Sequence, residues 1–92
     1  MKNDGIIKIS DISIISERQY LGDKSIKELY IDGSVNQINA KAFSGCENLE
    51  KVVFGEGFEA IGEKAFKKKK KLKNVIFPAT LKFVGRAAFI NC

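Results

Sequence analysis

The stretch Leu72-Lys73-Asn74-Val75-Ile76-Phe77-Pro78-Ala79-Thr80-Leu81-Lys82-Phe83-Val84-Gly85-Arg86-Ala87-Ala88-Phe89 decides the fold, because its apolar residues repeat earlier in the chain at one interval. Ala88-Phe89 follows Ala65-Phe66 and Ala42-Phe43, each step being 23 residues. Leu72 follows Leu49 and Ile26, Val75 follows Val52 and Leu29, and Phe77 follows Phe54 and Ile31. The columns Val35, Phe58, Leu81 and Ile38, Ile61, Val84 keep the same step. Self-similarity at a fixed period of this size marks a repeat architecture. Four times 23 accounts for all 92 residues. An earlier, degenerate copy fits in front, with Ile12, Ile15 and Tyr20 in step and Ile7 and Ile9 at a spacing of 22, which one deletion near Ser10 explains.

Each unit opens with alternating apolar positions, Leu29-x-Ile31, Val52-x-Phe54 and Val75-x-Phe77, the two-residue period of a short strand. A turn follows at Asp32-Gly33-Ser34, Gly55-Glu56-Gly57 and Pro78-Ala79-Thr80. Ser16, Asn39, Gly62 and Gly85 then share a column of helix N-cap types, and Ser16 with Gln19 spells a capping box. Six residues later stand Gly22, Gly45, Lys68 and Asn91, three of which tolerate the left-handed conformation that ends helices. The expected unit is therefore a strand, a turn and a helix of one or two turns. Such a unit buries its apolar face only by stacking on its neighbours.

These columns resemble leucine-rich repeats of the BspA-like, or Treponema pallidum-type, class, whose unit reads L-x-x-L-x-L-P-x-x-L-x-x-I-G-x-x-A-F-x-x-C. Leu72, Val75, Phe77, Pro78, Leu81, Val84, Gly85, Ala88, Phe89 and Cys92 fall at the expected places, and the unit from Leu49 departs only at Gly55 and Lys69. The resemblance covers Ile26 to Cys92, and more weakly Ile6 to Ser25. It implies an α/β leucine-rich-repeat solenoid of about four 23-residue repeats, with a parallel sheet on the concave face and short helices on the convex face. Residues 1–92 then form one repeat domain: 1–25 a degenerate N-terminal repeat or cap, and 26–48, 49–71 and 72–92 the repeats. It also implies a bacterial or protozoan surface protein engaged in adhesion or host contact, secreted or at the cell surface. Met1-Lys2-Asn3-Asp4 opens no basic-then-apolar leader, so either the protein stays inside or a leader was removed. Ser34, Gly57 and Thr80 stand where ordinary leucine-rich repeats carry Asn or Cys, so no buried Asn ladder is expected. Asp23 and Lys69 replace cysteine in the column of Cys46 and Cys92, which places that column near the surface with the Lys69 stem along the core.

Composition narrows the function. With 45 % hydrophobic and 29 % charged residues and one Pro, the chain is neither disordered nor membrane-spanning. It has no His and no Trp, which removes the usual general base and imidazole metal ligand, and no acid pair marks a pocket. No catalytic residue, metal site, cofactor or small-molecule substrate is expected, and the chain is read as a binding protein and not an enzyme. Gly55-x-Gly57 lacks the further glycine of a phosphate-binding loop and reads as a turn, and Ser25 to Glu28 reads as the start of a strand. Cys46 and Cys92, two repeats apart, stack at about 9 to 10 Å, beyond the ~7 Å that a disulfide allows. Cys92 could still link two molecules under oxidising conditions.

Two candidate surfaces follow. Between the inward residues of each strand lie Tyr30, Val53 and Ile76, an exposed strip on the concave face, flanked by Glu28, Lys51 and Asn74. These six residues form the expected protein- or peptide-binding groove, with Tyr30 as anchor. The alternative is a polyanion or anionic-surface site at Lys67, Lys68, Lys69, Lys70, Lys71 and Lys73, six lysines in seven residues of a chain with net charge +5. Arg18, Lys41 and Lys64 widen that patch on the helical side. The last strand, Leu72 to Phe77, should have an unpaired edge, open either to more repeats or to a second copy.

Overall fold

The computed structural model describes residues 4–90 and Cys92. The Met1-Lys2-Asn3 start and Asn91 lie outside the described residues. Eight short strands are present: β1 (Ile6–Ile9), β2 (Ile14–Ile15), β3 (Glu28–Ile31), β4 (Gln37–Ile38), β5 (Lys51–Phe54), β6 (Ala60–Ile61), β7 (Asn74–Ile76) and β8 (Phe83–Val84). They build two four-stranded parallel sheets in the orders β1-β3-β5-β7 and β2-β4-β6-β8. The chain is thus a solenoid of four coils, each contributing one strand to each sheet. Pairing follows the sequence columns: Leu29 lies beside Val52 and Val52 beside Val75, while Ile38 lies beside Ile61 and Ile61 beside Val84. The degenerate first copy joins with the 22-residue step, Ile7 beside Leu29 and Ile9 beside Ile31. Two-residue alternation sends Leu29, Ile31, Val52 and Phe54 into the core and leaves Tyr30 and Val53 half-buried on the opposite face.

The expected helices do not form: no helix occurs among the described residues. The residue two places after each expected N-cap is left-handed, with φ of 58° at Arg18, 58° at Lys41, 55° at Lys64 and 55° at Ala87. A right-handed helix cannot continue through such a residue. Instead, every second N–H points along the stack. Arg18, Tyr20 and Gly22 donate to the carbonyls of Ala40, Ala42 and Ser44 in the next coil. Gln19, Leu21 and Asp23 close local turns onto Ser16, Arg18 and Tyr20. The convex side is therefore a ladder of turns bonded coil to coil, which satisfies the backbone as a helix would. The expected helix-ending column is also left-handed, with Gly22 at 71°, Gly45 at 76° and Lys68 at 64°.

The presumed caps have other roles. A Cβ at Gly62 would lie 2.7 Å from the Ile38 carbonyl oxygen, and one at Gly85 2.6 Å from the Glu63 nitrogen. Glycine stands there because adjacent coils touch through backbone. Of the capping box, only the Gln19 half is present: its Oε1 accepts the Ser16 N–H at 2.9 Å.

The core is a set of vertical stacks. Tyr20, Phe43, Phe66 and Phe89 pile up with centroids 5.0, 5.4 and 5.2 Å apart and planes within 6° of parallel. Phe54 and Phe77 form a second stack at 5.7 Å. Ile26, Leu29, Val35, Ile38, Leu49 and Val52 around them are fully buried. Stacking stops at the last coil, where β7 and β8 are sheet edges and Phe77 is 47 % exposed.

Candidate functional site

On the outer face of the sheet β1-β3-β5-β7, the two columns singled out from sequence meet around Tyr30. The Tyr30 hydroxyl donates to Glu28 Oε1 at 2.8 Å, and Lys51 Nζ sits 5.6 Å from the centre of the Tyr30 ring. The aromatic thus has an acid at its hydroxyl and a cation over its ring, close enough for a cation–π contact. Val53 continues the strip, half-buried, and Ile76 ends it, 53 % exposed. Asn74 is exposed on the edge strand.

An open depression of about 380 Å³ lies beside Tyr30, between Lys8 and Ser10 of the first coil, Asp32 of the second and Val53 and Gly55 of the third. Ile76 and Asn74 do not line it. Lys8 and Ser10 were missed in the sequence because the first copy carries the 22-residue spacing. The step from Ile7 and Ile9 to Leu29 and Ile31 puts Lys8 in the Tyr30 column, and the pairing places it there. Asp32 is held below the usual carboxylate range by hydrogen bonds from the Ser34 backbone and hydroxyl, so it is ionised at neutral pH. The depression thus has an apolar floor with a cation and an anion on its rim, suited to an extended segment carrying both charges and a small apolar side chain. Among the described residues, no three His, Cys, Asp or Glu side chains come together as a metal site.

The lysine-rich segment divides. Lys68, Lys70, Lys71 and Lys73 are exposed and Lys67 is half-buried. Lys71 Nζ donates to Asn48 Oδ1 at 3.0 Å. Lys69 is fully buried and leaves the surface cluster. Its ammonium donates to the carbonyls of Phe43 and Lys67. The expectation of a column near the surface is corrected for Cys46 and Lys69, which are buried, while Cys92 is exposed. Cys46 Sγ donates to the Tyr20 carbonyl at 3.1 Å and Cys92 Sγ to that of Phe66 at 3.2 Å, so all three side chains serve the aromatic residue 26 positions earlier. Burial pushes the Lys69 ammonium down to about 8 and the Cys46 thiol up. Both cysteines are free, Cys46 buried and Cys92 exposed. Arg18, Lys41 and Lys64 stand on the turn ladder at its left-handed positions.

Comparison with known proteins places this geometry. The chain superposes on a leucine-rich repeat protein from Bacteroides ovatus with TM-score 0.87 and 29 % identity, covering 95 % of this chain and 22 % of that one. It superposes on the T. pallidum Leucine Rich Repeat protein with TM-score 0.84 and 22 % identity, covering 91 % and 42 %. A leucine-rich repeat protein from Eubacterium ventriosum gives TM-score 0.72 and 20 % identity, covering 98 % and 32 %. The chain spans less than half of each. No curated protein matches. A family model described as "BspA type Leucine rich repeat region (6 copies)" matches residues 5–92. With that match over nearly its whole length, and with coils stacked in register, this chain belongs to the BspA-type leucine-rich repeat family.

Proposed function

We propose that the chain is a non-catalytic protein-interaction module that takes an extended peptide or a protein loop on the concave sheet, in adhesion or surface recognition. The observation that carries this reading is the strip Tyr30, Val53 and Ile76, flanked by Glu28, Lys51 and Asn74 and opening into the depression at Lys8 and Asp32. Its components suit recognition: an aromatic fixed by its own hydroxyl loses little freedom on binding, and opposite charges on the rim set the direction of a bound segment. The test is selection of peptides from a random displayed library on the wild-type chain. Binders should lose at least tenfold in affinity on Tyr30→Ala with Val53→Ser while thermal unfolding stays in place. Equal affinity for that variant would move the site elsewhere.

A second reading rests on Lys68, Lys70, Lys71 and Lys73, four exposed lysines on one loop. Glu47 and Glu50 occupy the columns of Lys70 and Lys73 one coil earlier, so the patch is crossed by acids. As a polyanion site, it should retard the chain on heparin in a salt-dependent manner, and replacing the four lysines with Gln should abolish the retardation. Identical elution of the two forms would end this reading. A second copy of the chain is a third partner, met at the open C-terminal edge.

A further inference from the structure

The outer face of the sheet β1-β3-β5-β7 changes sign along its strands. Lys8, Tyr30, Val53 and Ile76 share the middle column. One step upstream, Glu28 lies beside Lys51 and Lys51 beside Asn74. Lys8 and Lys51 thus outnumber Glu28, whose Oε1 is taken by the Tyr30 hydroxyl. In the two columns downstream every charge is negative: Asp32 on the rim of the depression, then Asp11 after Ser10 and Glu56 after Gly55. Among the described residues the ion pairs are Arg18 with Glu17 and Lys82 with Glu59, so Lys8 and Asp32 keep their charges unpaired. Ser10 and Gly55, in the coils on either side of Asp32, carry little or no side chain and leave room beside its carboxylate.

We propose that the depression takes an extended segment of a partner protein that lies along the strands and carries an acid and a base two or four positions apart. The acid faces Lys8 or Lys51 and the base faces Asp32. The assignment rests on the concave sheet being the binding face and adds the direction and charge of its occupant. Its spacing comes from the pleat: side chains of an extended segment that face one way recur every second residue, about 6.6 Å apart, the step that also separates outward residues on the sheet. Lys8 stands one such step from the Asp32 column and Lys51 two, so an odd separation would turn one charge away from the sheet. At a separation of four, the middle inward residue meets Tyr30 and Val53 and is apolar. A segment lying across the coils instead follows Lys8, Tyr30, Val53 and Ile76, where it meets no acid. A polyanion satisfies Lys8 and Lys51 but is repelled at Asp32, Asp11 and Glu56.

Selection of short random peptides displayed on phage tests the proposal. A chain of net charge +5 enriches acids by itself, so a base at an even distance from the acid is the discriminating sign. Asp32→Lys should weaken such binders about tenfold, and Asp32→Asn, which keeps an acceptor for the Ser34 N–H, about threefold. Replacing the base of the peptide with Glu should weaken binding to the wild-type chain about tenfold and restore it on Asp32→Lys. Binders that weaken on Tyr30→Ala with Val53→Ser but ignore Asp32→Lys, or that carry acids and no base, would overturn the assignment and leave the concave face as the binding site. An empty selection, or binders indifferent to both variants, would remove the concave site and the assignment with it.

Discussion

Ile15 and Val84 stand in one column at opposite ends of the stack; the first is fully buried and the second 53 % exposed. Ile9 and Phe77 repeat the contrast at 7 % and 47 %. In these two columns the residue of the first coil is the better covered, whereas Ile12, 40 % exposed, is less covered than the half-buried Leu81 of its own column. The backbones differ as well. In the first coil, Asp4 Oδ1 accepts the Ile6 N–H at 3.1 Å and Gln19 Oε1 the Ser16 N–H, whereas in later coils the equivalent N–H groups bond a carbonyl of the coil before. Apolar residues of one column therefore stabilise the fold by different amounts in the first and last coils.

The contrast is broken most sharply at the aromatic stack. Phe43→Ala, stacked between two rings, should cost about 4 kcal/mol, whereas Phe89→Ala, stacked on Phe66 alone, edge-on to Phe77 and partly exposed, should cost about 1 to 2 kcal/mol. Urea unfolding of the two variants measures the difference; equal losses would mean that the last coil is as tightly covered as the second.

The cysteine column gives the next effect. Cys46 and Cys92 show that a thiol serves the carbonyl that Lys69 serves with a buried charge. Lys69→Cys should stabilise the protein at pH 7 by on the order of 2 kcal/mol. The sign with pH follows from the folded value near 8 against the ordinary 10.5. Between these values the unfolded chain holds more protons, so wild-type stability rises with pH across that window. The advantage of Lys69→Cys is full below pH 8 and shrinks to nothing towards 10.5, as denaturant midpoints at several pH values would show.

Smaller changes refine the comparison along the convex ladder. Lys64→Val places a β-branched residue at a φ of 55° and should cost about 1 to 2 kcal/mol, while Lys64→Gly should be neutral or gain a few tenths. Gln19→Ala at the first coil should cost about 0.5 kcal/mol, since Ser16 is exposed and water replaces the lost acceptor. A loss above 2 kcal/mol would show that this single contact holds the first coil in place.

The coil stack and most of the concave strip were legible in the sequence. A 23-residue interval in five apolar columns permits only a register in which like lies on like, and two-residue alternation put Tyr30, Val53 and Ile76 outside. The convex side was not legible, because Ser16, Asn39, Gly62 and Gly85 look like caps while nothing about Arg18, Lys41 or Lys64 announces a positive φ. That conformation is imposed by N–H groups turned toward the next coil. Lys8 and Ser10 were hidden by one missing residue in the first copy. Lys69 was hidden by its type, since a lysine among five others reads as solvent-facing until the Phe43 carbonyl, 26 residues earlier, draws it in.

The sequence by itself determined the period, the inward faces and the strand register, because burying apolar side chains at regular intervals needs only spacing and alternation. Tertiary structure alone decided that the convex turns are not helices, that one lysine is core, and that the molecule's two ends differ in cover, because each depends on which backbone groups a neighbouring coil offers or withholds.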